Sequence, residues 1–413
     1  MSRDERTLAS SLQTKDERSA VLQVRGLSVA FGFNKKGLPV EGRKPLQVTD
    51  RVSFEINAGE FFALVGESGC GKSVTAMGIL RLLPWPGAQI VEGSVLFHAG
   101  RDAAGDLDAG KAGAEDCLVE KDCAPIDLAK LPLTELQKIR GSEIACIFQE
   151  PMQALNPVVT IKKQLLEVFK FCGGPYRSPA APTGKALNGA GKVESGKDGA
   201  KTAGKDGAAD PLTAIREMLT LAGFNDPDRV LNAYPHELSG GMLQRVCIVM
   251  ALLPKPKLII ADEPTTALDV TVQAQVLAVL KDMANRTGTA VLLITHNMGI
   301  VSQYADRVAV MYAGRIVECG PVRDVIDNPM HPYTQGLLAA IPENHSDMRN
   351  LRSIPGSVPH ARDFVKGCRF ADRCEKCASL SAELQAKCRS QEIPPKVGES
   401  HFALCYFQNL QSK

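Results

Sequence analysis

The stretch FFALVGESGCGKSV, residues 61–74, decides the fold class. An apolar run of strand length leads into residues that match the pattern G-x-x-x-x-G-K-[ST]. The glycines let the backbone wrap closely, so that N–H groups and a helix N-terminus can face phosphate groups. Lys72 can then reach the β- and γ-phosphates of a nucleotide, and the Ser73 hydroxyl can ligate Mg²⁺. The predicted nucleotide-binding residues of this stretch are Gly66, Glu67, Ser68, Gly69, Cys70, Gly71, Lys72, Ser73 and Val74.

A second apolar stretch, KLIIADEP at residues 257–264, brings two acidic residues to the end of a strand. Asp262 can hold Mg²⁺ directly or through water, and Glu263 can orient or deprotonate an attacking water. An acidic residue after a buried strand is common, so this pattern alone is weak. Paired with the phosphate-binding loop, it predicts a nucleotide-hydrolysing site.

Strand-like and helical patterns alternate along the second half of the chain. The apolar runs KLIIAD, AVLLIT and RVAVMY are interleaved with a helical stretch at 271–286. Further helices are predicted at 72–83, 211–222 and 242–253. This alternation is typical of an α/β domain with a mostly parallel sheet.

The chain is predicted to have three parts. Residues 1–20 are predicted to be a disordered tail, 21–330 a nucleotide-binding domain and 331–413 a C-terminal module. Two insertions interrupt the central part, at 99–125 and 173–210. The second is almost free of large apolar residues, so we expect it to be disordered.

Charge and hydropathy restrict the class of protein. The 413 residues carry 48 Lys and Arg against 46 Asp and Glu, a net charge of +2. Such a balance gives no bulk attraction to nucleic acid or anionic lipid. No apolar run approaches the roughly 18 residues needed to span a bilayer, and the polar N-terminus lacks the apolar core of a secretory signal. We therefore expect a cytosolic protein, whose membrane role would come through a partner.

The stretch LSGGMLQR, residues 238–245, places a serine and two glycines at the start of a helix. Ser239, Gly240 and Gly241 can form a second anion-binding surface. The same residues could instead be an ordinary helix N-cap with a glycine-rich approach. Because one nucleotide needs only one phosphate-binding loop per chain, this surface is predicted to cover a nucleotide held by another chain.

These motifs, followed by ALD at 267–269 and THN around His296, resemble in their order the ATP-binding cassette (ABC) transporter ATPases. The resemblance covers about 22–340, apart from the insertions, and includes Gln149 in IFQEPM as the family's Q-loop. It implies a P-loop ATPase fold with a RecA-like core, an antiparallel β subdomain and a helical subdomain. It also implies that ATP and Mg²⁺ are bound, with Ser73, Gln149 and Asp262 on the metal.

The resemblance further assigns roles at the site. It implies that Glu263 is the catalytic base, that His296 contacts the γ-phosphate and that Asp269 lies at the interface of a head-to-tail dimer. Each nucleotide would lie between one subunit's phosphate loop and the other's LSGG sequence. Phe31 or Phe33 would stack on adenine.

Three later stretches resemble the ATP-binding subunits of dipeptide, oligopeptide and nickel importers: EPMQALNPVVTI at 150–161, HPYTQGLL at 331–338 and IPGSVP at 354–359. This resemblance implies a second, often non-identical ATPase subunit, two transmembrane permease subunits and an extracytoplasmic solute-binding protein. It places the chain at the cytoplasmic face of a bacterial inner membrane, as a peripheral subunit. The transported solute cannot be read from an ATPase subunit.

The C-terminal part is rich in cysteine. Clustered cysteines in a reducing cytosol indicate metal ligands rather than disulfides. Cys368, Cys374, Cys388 and Cys405 resemble the tail cysteines that ligate a [4Fe–4S] cluster in some dipeptide and oligopeptide ATPase subunits. The short spacing from Cys374 to Cys377 would also suit tetrahedral zinc, or the thiols could be unliganded. Whether Cys377 or Cys388 is the third ligand stays open.

Two other functions compete with the importer. One is a soluble cassette ATPase that acts on nucleic acid or in translation, which the near-neutral charge opposes. The other is a metal-dependent regulator in which ATP hydrolysis is incidental. We expect no nucleic-acid partner.

Overall fold

The computed structural model describes residues 20–42, 44–84, 86–98, 124–171, 210–266, 268–341, 354–391, 396–397 and 401–406. The predicted disordered tail and the two predicted insertions lie outside these residues, apart from their end residues. The described residues form two sheets with helices packed against them.

The strands are β1 Ala20–Phe31, β2 Leu46–Asn57, β3 Phe61–Val65, β4 Ala88–Phe97, β5 Ile126–Asp127, β6 Ile144–Ile147, β7 Leu258–Asp262, β8 Ala290–Thr295, β9 Arg307–Tyr312, β10 Arg315–Pro321, β11 Lys396–Val397 and β12 Phe402–Ala403. The larger sheet has eight strands in the order β11-β12-β10-β9-β3-β8-β7-β6. Strands β9 to β6 of this order are parallel, and β10, β12 and β11 pair antiparallel. The smaller sheet is antiparallel, in the order β2-β1-β4-β5. The predicted α/β class with a mostly parallel sheet is confirmed.

The α-helices of the described residues are α1 Lys72–Ile79, α2 Leu133–Ile139, α3 Pro151–Ala154, α4 Ile161–Phe171, α5 Pro211–Leu221, α6 Pro227–Asn232, α7 Gly240–Leu252, α8 Val270–Thr287, α9 Met298–Tyr304, α10 Val322–Asp327, α11 Pro332–Ala339, α12 Glu375–Ala378 and α13 Ala382–Ser390. Within the described ranges, none of these helices has the length and apolar character needed to cross a bilayer. The helices predicted around 211–222, 242–253 and 271–286 correspond to α5, α7 and α8.

The central strands of the larger sheet are buried on both faces. All six residues of β8 are buried, as is usual for a parallel strand covered on both sides. Alternate residues point to opposite faces. Ile259 and Val291 join one apolar cluster with α7, whereas Ile260 and Leu292 join another with α1. The helices α1 and α7 therefore pack on opposite faces of one sheet.

The smaller sheet packs on the α1 face of the larger one. Phe54 of β2 stacks on Phe62 of β3 with ring centroids 5.2 Å apart. Buried apolar residues of β1, β2 and β4 share a cluster with residues of α1. This packing places α1 and the loop before it between the two sheets.

Helix α1 is shorter than predicted, because it ends at Ile79 instead of Leu83. Arg81 then adopts a left-handed backbone conformation, with φ 51°. The Arg140 guanidinium at the end of α2 donates to the carbonyl of Leu80, at 2.9 and 2.6 Å, and to that of Arg81 at 2.9 Å. A cation distant in sequence thus binds the carbonyls of the C-cap residue and of the residue after it. The end of the helix predicted from the local pattern was wrong.

The C-terminal residues extend the larger sheet. Strand β12 pairs with β10 through Ala403 opposite Glu318 and Phe402 opposite Cys319. Strand β11 pairs in turn with β12. The C-terminal part of the chain therefore continues the same sheet that carries the phosphate-binding loop.

Candidate nucleotide-binding and hydrolysis site

The phosphate-binding loop joins the end of β3 to the start of α1. Gly66 has φ 157°, and a Cβ at this position would collide with the Met311 carbonyl oxygen and the Cys70 sulfur. Gly71, the N-cap of α1, is also left-handed, with φ 109°. Burial raises the pKa of the Cys70 thiol, so it remains protonated at neutral pH. Glycines are thus required by backbone conformation and by close packing, and Cys70 contributes packing.

Lys72 lies inside the loop and is 4% exposed. Its Nζ donates to the carbonyl oxygens of Gly66, at 2.9 Å, and Glu67, at 3.0 Å. Ser68 and Gly69 are exposed at the tip of the loop. A buried ammonium group held by backbone oxygens is positioned for the anionic ligand that the motif predicts.

Ser73 and Asp262 meet across the site. The Ser73 hydroxyl donates to a carboxylate oxygen of Asp262 at 3.1 Å. Burial raises the pKa of Asp262, the Ser73 hydrogen bond partly offsets this, and the neighbouring Glu263 adds to the rise. The structure therefore brings the two predicted Mg²⁺ ligands together. The negative charge of Asp262 is only partly compensated by groups of this chain.

Glu263 follows β7 in a left-handed conformation, with φ 45°, which is strained for a residue other than glycine. Its N–H donates to the carbonyl oxygen of Ile294 in β8 at 3.0 Å. One carboxylate oxygen accepts from the Thr266 hydroxyl at 3.0 Å, and the other lies 3.4 Å from His296 Nδ1. The carboxylate of this strained residue thus lies between two polar side chains, Thr266 and His296. Thr266 was not singled out by sequence reasoning.

The remaining predicted residues of the nucleotide site lie at its edges. Gln149 is exposed and follows the edge strand β6, which ends on the same side of the sheet as β7. Phe31 is the last residue of β1 and packs partly against an apolar cluster. Phe33 forms an isolated bridge with Pro39. The stacking of Phe31 or Phe33 on adenine stays a prediction.

The LSGG residues lie on the other side of the sheet, at the start of α7. Ser239 is the N-cap and accepts from the Met242 N–H at 3.4 Å. A Cβ on Gly241 would lie 2.5 Å from a methyl group of Val272 in α8. Asp269 caps α8 by accepting from the Val272 N–H at 3.0 Å. The structure thus brings Ser239, Gly241 and Asp269 to two adjacent helix starts, on the face opposite α1.

Comparison with known proteins identifies the family. A model described as "ABC transporter" matches residues 49–266, and one described as "Oligopeptide/dipeptide transporter, C-terminal region" matches 317–379. The oligopeptide transport ATP-binding protein AppD of Bacillus subtilis is 40% identical over 358 residues, 87% of this chain and 89% of its own. The chain belongs to the ATP-binding subunits of oligopeptide and dipeptide ABC transporters.

Other members of this family are similarly related. The probable peptide ABC transporter ATP-binding protein y4tR of Sinorhizobium fredii is 40% identical over 96% of this chain and 98% of its own, and the dipeptide transport ATP-binding protein DppD of Bacillus subtilis is 40% identical over 80% and 81%. A solved dimeric ATP-binding cassette, MJ0796 bound to ADP and Pi, aligns with a TM-score of 0.48 and 24% identity, covering 73% of this chain and 99% of that one. As a member of the family the ABC subunit is an ATPase, and a soluble ATPase acting on nucleic acid is not favoured.

The cysteines of the ABC subunit's C-terminal part surround one small cavity. Its lining includes Cys368, Cys374, Cys377, Cys388 and Cys405. Burial raises the pKa of Cys368 and Cys374, and burial together with the Cys377 thiol raises that of Cys388 to about 12. In the described ranges, no three His, Cys, Asp or Glu side chains are arranged to hold a metal ion. The cavity therefore gathers all five candidate thiols without forming a single-ion site.

Two residues from the C-terminal part of the ABC subunit reach the phosphate-binding loop. Arg373 forms an ion pair with Glu67, and the Tyr333 hydroxyl accepts from the Glu67 N–H. Sequence reasoning assigned a role to neither residue. The HPYT stretch contains Tyr333, yet its spacing gives no sign of a partner so distant along the chain.

Proposed function

We propose that this ATPase powers the import of di- or oligopeptides by hydrolysing ATP in a head-to-tail dimer with a second, homologous ATPase subunit. The main support for this proposal is the cluster of Ser73, Asp262, Glu263 and His296 beside the phosphate-binding loop. In addition, the C-terminal region of the chain matches the oligopeptide transporter model. We take 21–330 as the cassette and 331–413 as the family's C-terminal region.

Within the cassette, each polar residue has a distinct task. Lys72 and the loop N–H groups bind the phosphates. Ser73, Asp262 and Gln149 would hold Mg²⁺, which supplies positive charge beside the transferred phosphoryl group. Glu263 accepts a proton from the attacking water, and Thr266 hydrogen-bonds the carboxylate that must do so.

His296 completes the hydrolytic side of the site. Its position next to the Glu263 carboxylate supports a contact with the γ-phosphate, because the exposed ring can turn toward a bound nucleotide. Phe31 would stack on adenine.

The LSGG residues act on the nucleotide of the second subunit. Ser239, Gly240 and Gly241 present helix N–H groups to its phosphates, and Asp269 lies at the dimer interface. Closure of the dimer on ATP would drive two permease subunits to switch access, and hydrolysis would reset them. A solute-binding protein outside the membrane would deliver the peptide, and the ATPase would lie peripherally on the cytoplasmic face of a bacterial inner membrane.

Reconstitution tests this proposal. The chain, its permeases and its companion ATPase are placed in vesicles that contain ATP, and uptake of a labelled peptide mixture is measured with solute-binding protein outside. We expect ATP-dependent uptake that requires the binding protein. ATPase activity with no peptide uptake, but with uptake of another solute, would remove the peptide assignment and keep the importer.

We also propose that Cys368, Cys374, Cys388 and Cys405 hold a [4Fe–4S] cluster, with zinc as the alternative. Four thiolates suit either group. Tetrahedral zinc needs sulfurs roughly 3.8 Å apart, given its ~2.3 Å bonds, whereas a four-iron cube holds its thiolates further apart. Five thiols line one cavity, which is enough to supply the four ligands of either group.

Metal analysis of protein purified without oxygen separates these possibilities. We expect a brown protein with about four irons per chain, and a colourless protein with one zinc would overturn the cluster. Cys388→Ser and Cys377→Ser form a matched pair, because both thiols line the cavity. Loss of iron in the first and retention in the second would make Cys388 the third ligand, and the reverse result would make it Cys377.

A further inference from the structure

Glu67, the second residue of the phosphate-binding loop, is held on three sides. Its carboxylate pairs with Arg373, its N–H donates to the Tyr333 hydroxyl at 2.9 Å, and its carbonyl accepts from Lys72 Nζ at 3.0 Å. Two of these partners come from the C-terminal part of the chain. The third is the lysine that the motif assigns to the phosphates.

The Arg373 side chain is held in place by several hydrogen bonds. Its two terminal nitrogens reach the two carboxylate oxygens of Glu67 at 2.7 and 3.1 Å, a bidentate geometry that is strong and directional. Its Nε donates to the Pro355 carbonyl at 2.7 Å, and Nη2 to that of Gly356 at 3.2 Å. The Arg373 side chain is 9% exposed, against 27% for Glu67. A cation fixed in this way sets the place of the carboxylate, and not the reverse.

Tyr333 is equally fixed. It is fully buried on α11, with its ring centroid 4.6 Å from that of Tyr312 and 5.3 Å from that of Phe370. The preceding His331 caps the same helix by accepting from the Tyr333 N–H at 3.1 Å. The HPYT stretch therefore has a physical purpose, in which histidine starts the helix and tyrosine reaches the phosphate loop.

These contacts connect the cysteine-lined cavity with the phosphate loop. Arg373 immediately precedes Cys374, and Phe370 lines the same cavity while packing on Tyr333. The segment between 368 and 374 thus carries cavity residues on one side and the Glu67 partner on the other.

We propose that Arg373 and Tyr333 are positioning residues for ATP binding: they fix Glu67, and through its carbonyl Lys72, so that the C-terminal segment sets the affinity of the phosphate loop. The inference rests on the proposed role of Lys72 in phosphate binding. It assigns to the C-terminal region a direct effect on nucleotide affinity, in addition to any role in holding a metal group.

The test compares binding of a fluorescent ATP analogue to the purified full chain. Arg373→Met keeps the aliphatic stem and removes both hydrogen bonds to Glu67 together with those to the 354–356 carbonyls. We expect the Kd to rise about tenfold, as for a lost charge-assisted pair. Arg373→Lys, which keeps the charge but not the fork, should recover part of that loss. Arg389→Met is the matched control, because Arg389 pairs with Asp372 in the same region, and its Kd should stay within about twofold.

A positioning role and a purely structural one give different results. A structural brace would lower the melting temperature of Arg373→Met and leave the Kd of the folded protein unchanged, which would overturn the proposal. Tyr333→Phe provides a second variant that keeps the ring packing and removes only the acceptor of the Glu67 N–H. We expect its Kd to rise about threefold, and an unchanged Kd would exclude Tyr333 from the positioning role.

A double-mutant cycle completes the test. If Arg373 acts through Glu67, Glu67→Gln with Arg373→Met should bind the analogue no more weakly than Arg373→Met alone. Additive losses would show that Arg373 acts elsewhere and would overturn the proposed path. A wild-type chain that binds no ATP analogue would contradict the proposed function itself, an outcome distinct from equal binding by wild type and variant.

Discussion

The two anion-binding loops of this chain differ in how they are supported. The phosphate loop lies between two sheets with only its tip exposed, and its Glu67 has two partners from a distant part of the chain, Tyr333 and Arg373. The LSGG loop is exposed at Ser239 and Gly240, and the Ser239 side chain forms a local helix cap with the Met242 N–H. Since α1 and α7 pack on opposite faces of the larger sheet, the second loop cannot cover the first within one chain. The phosphate loop is supported by its own chain, and under the proposed function the exposed LSGG loop faces the nucleotide of a second chain.

The largest effect is expected for Glu263→Gln, which separates hydrolysis from closure of the two loops on one nucleotide. The kcat of the assembled complex should fall by at least about 100-fold, because a positioned base contributes that much. ATP binding should persist and hold the dimer closed. Steady-state ATPase assays and light scattering with ATP measure both, and near-normal turnover would remove Glu263 from the role of base.

Asp50→Asn tests the support behind the phosphate loop. Asp50 pairs with Arg315 and with Arg369, which also donates to the Ala313 carbonyl, and Gly314 donates to the Cys70 carbonyl in the loop. Removing the carboxylate leaves a largely buried arginine without its partner, so the free energy of unfolding should fall by about 3 kcal/mol. Urea denaturation measures this loss.

The exposed pair of Arg216 and Asp228 provides the control for Asp50, because Asp228→Asn should cost at most about 0.5 kcal/mol. Lowering the pH should reduce the free energy of unfolding, as the Asp50→Asn substitution does. Burial raises the pKa of Asp50, but the Arg315 and Arg369 cations outweigh it and hold the pKa below its usual value. The stabilisation is therefore present above the ordinary aspartate pKa and is lost as pH falls through the lowered one. Equal losses for the two variants would contradict the bracing role.

Ser239→Ala tests the exposed loop. In the assembled complex we expect ATPase activity to fall about tenfold, because a polar group facing the second nucleotide is lost, while the Kd of the isolated chain for ATP stays unchanged. Asp226→Ala is the control, since Asp226 caps α6 in the same way and should cost a similar ~1 kcal/mol of stability. A weaker Kd in the isolated Ser239 variant would mean that the loop acts on its own chain's nucleotide.

Asp262→Asn should have the smallest effect. Unlike Asp50→Asn, it should increase the free energy of unfolding. Burial raises the pKa of Asp262, so the ionised carboxylate costs stability as pH rises from its unfolded-state value through the raised one. Without Mg²⁺, the variant should be more stable than wild type at neutral pH, and this difference should shrink in acid. Thermal unfolding with and without Mg²⁺ and ATP tests this, and a less stable variant in the absence of both would be the contrary result.

The sequence predicted those parts of the site whose conformation depends on interactions between residues close together along the chain. The strand, loop and helix around 61–79 and the acidic pair after β7 follow from apolar runs and glycine spacing, so residues such as Lys72 and Asp262 could be singled out. The end of α1 could not, because it depends on Arg140 from another element. The Glu67–Arg373 pair could not either, because nothing in either local sequence indicates a partner that far along the chain.

The strand order also has a consequence for synthesis. Strand β3, which carries the phosphate loop, lies between β8 and β9, and its Phe61 pairs with Val291. At typical ribosomal rates, about 10–50 s separate the emergence of β3 from that of its first neighbour. During that time an apolar strand meant for the centre of a sheet has neither edge covered, and such long-range parallel pairing is slow to form. The nascent chain therefore passes through a long aggregation-prone interval, in which a chaperone bound near residues 61–65 would protect the yield of folded ATPase.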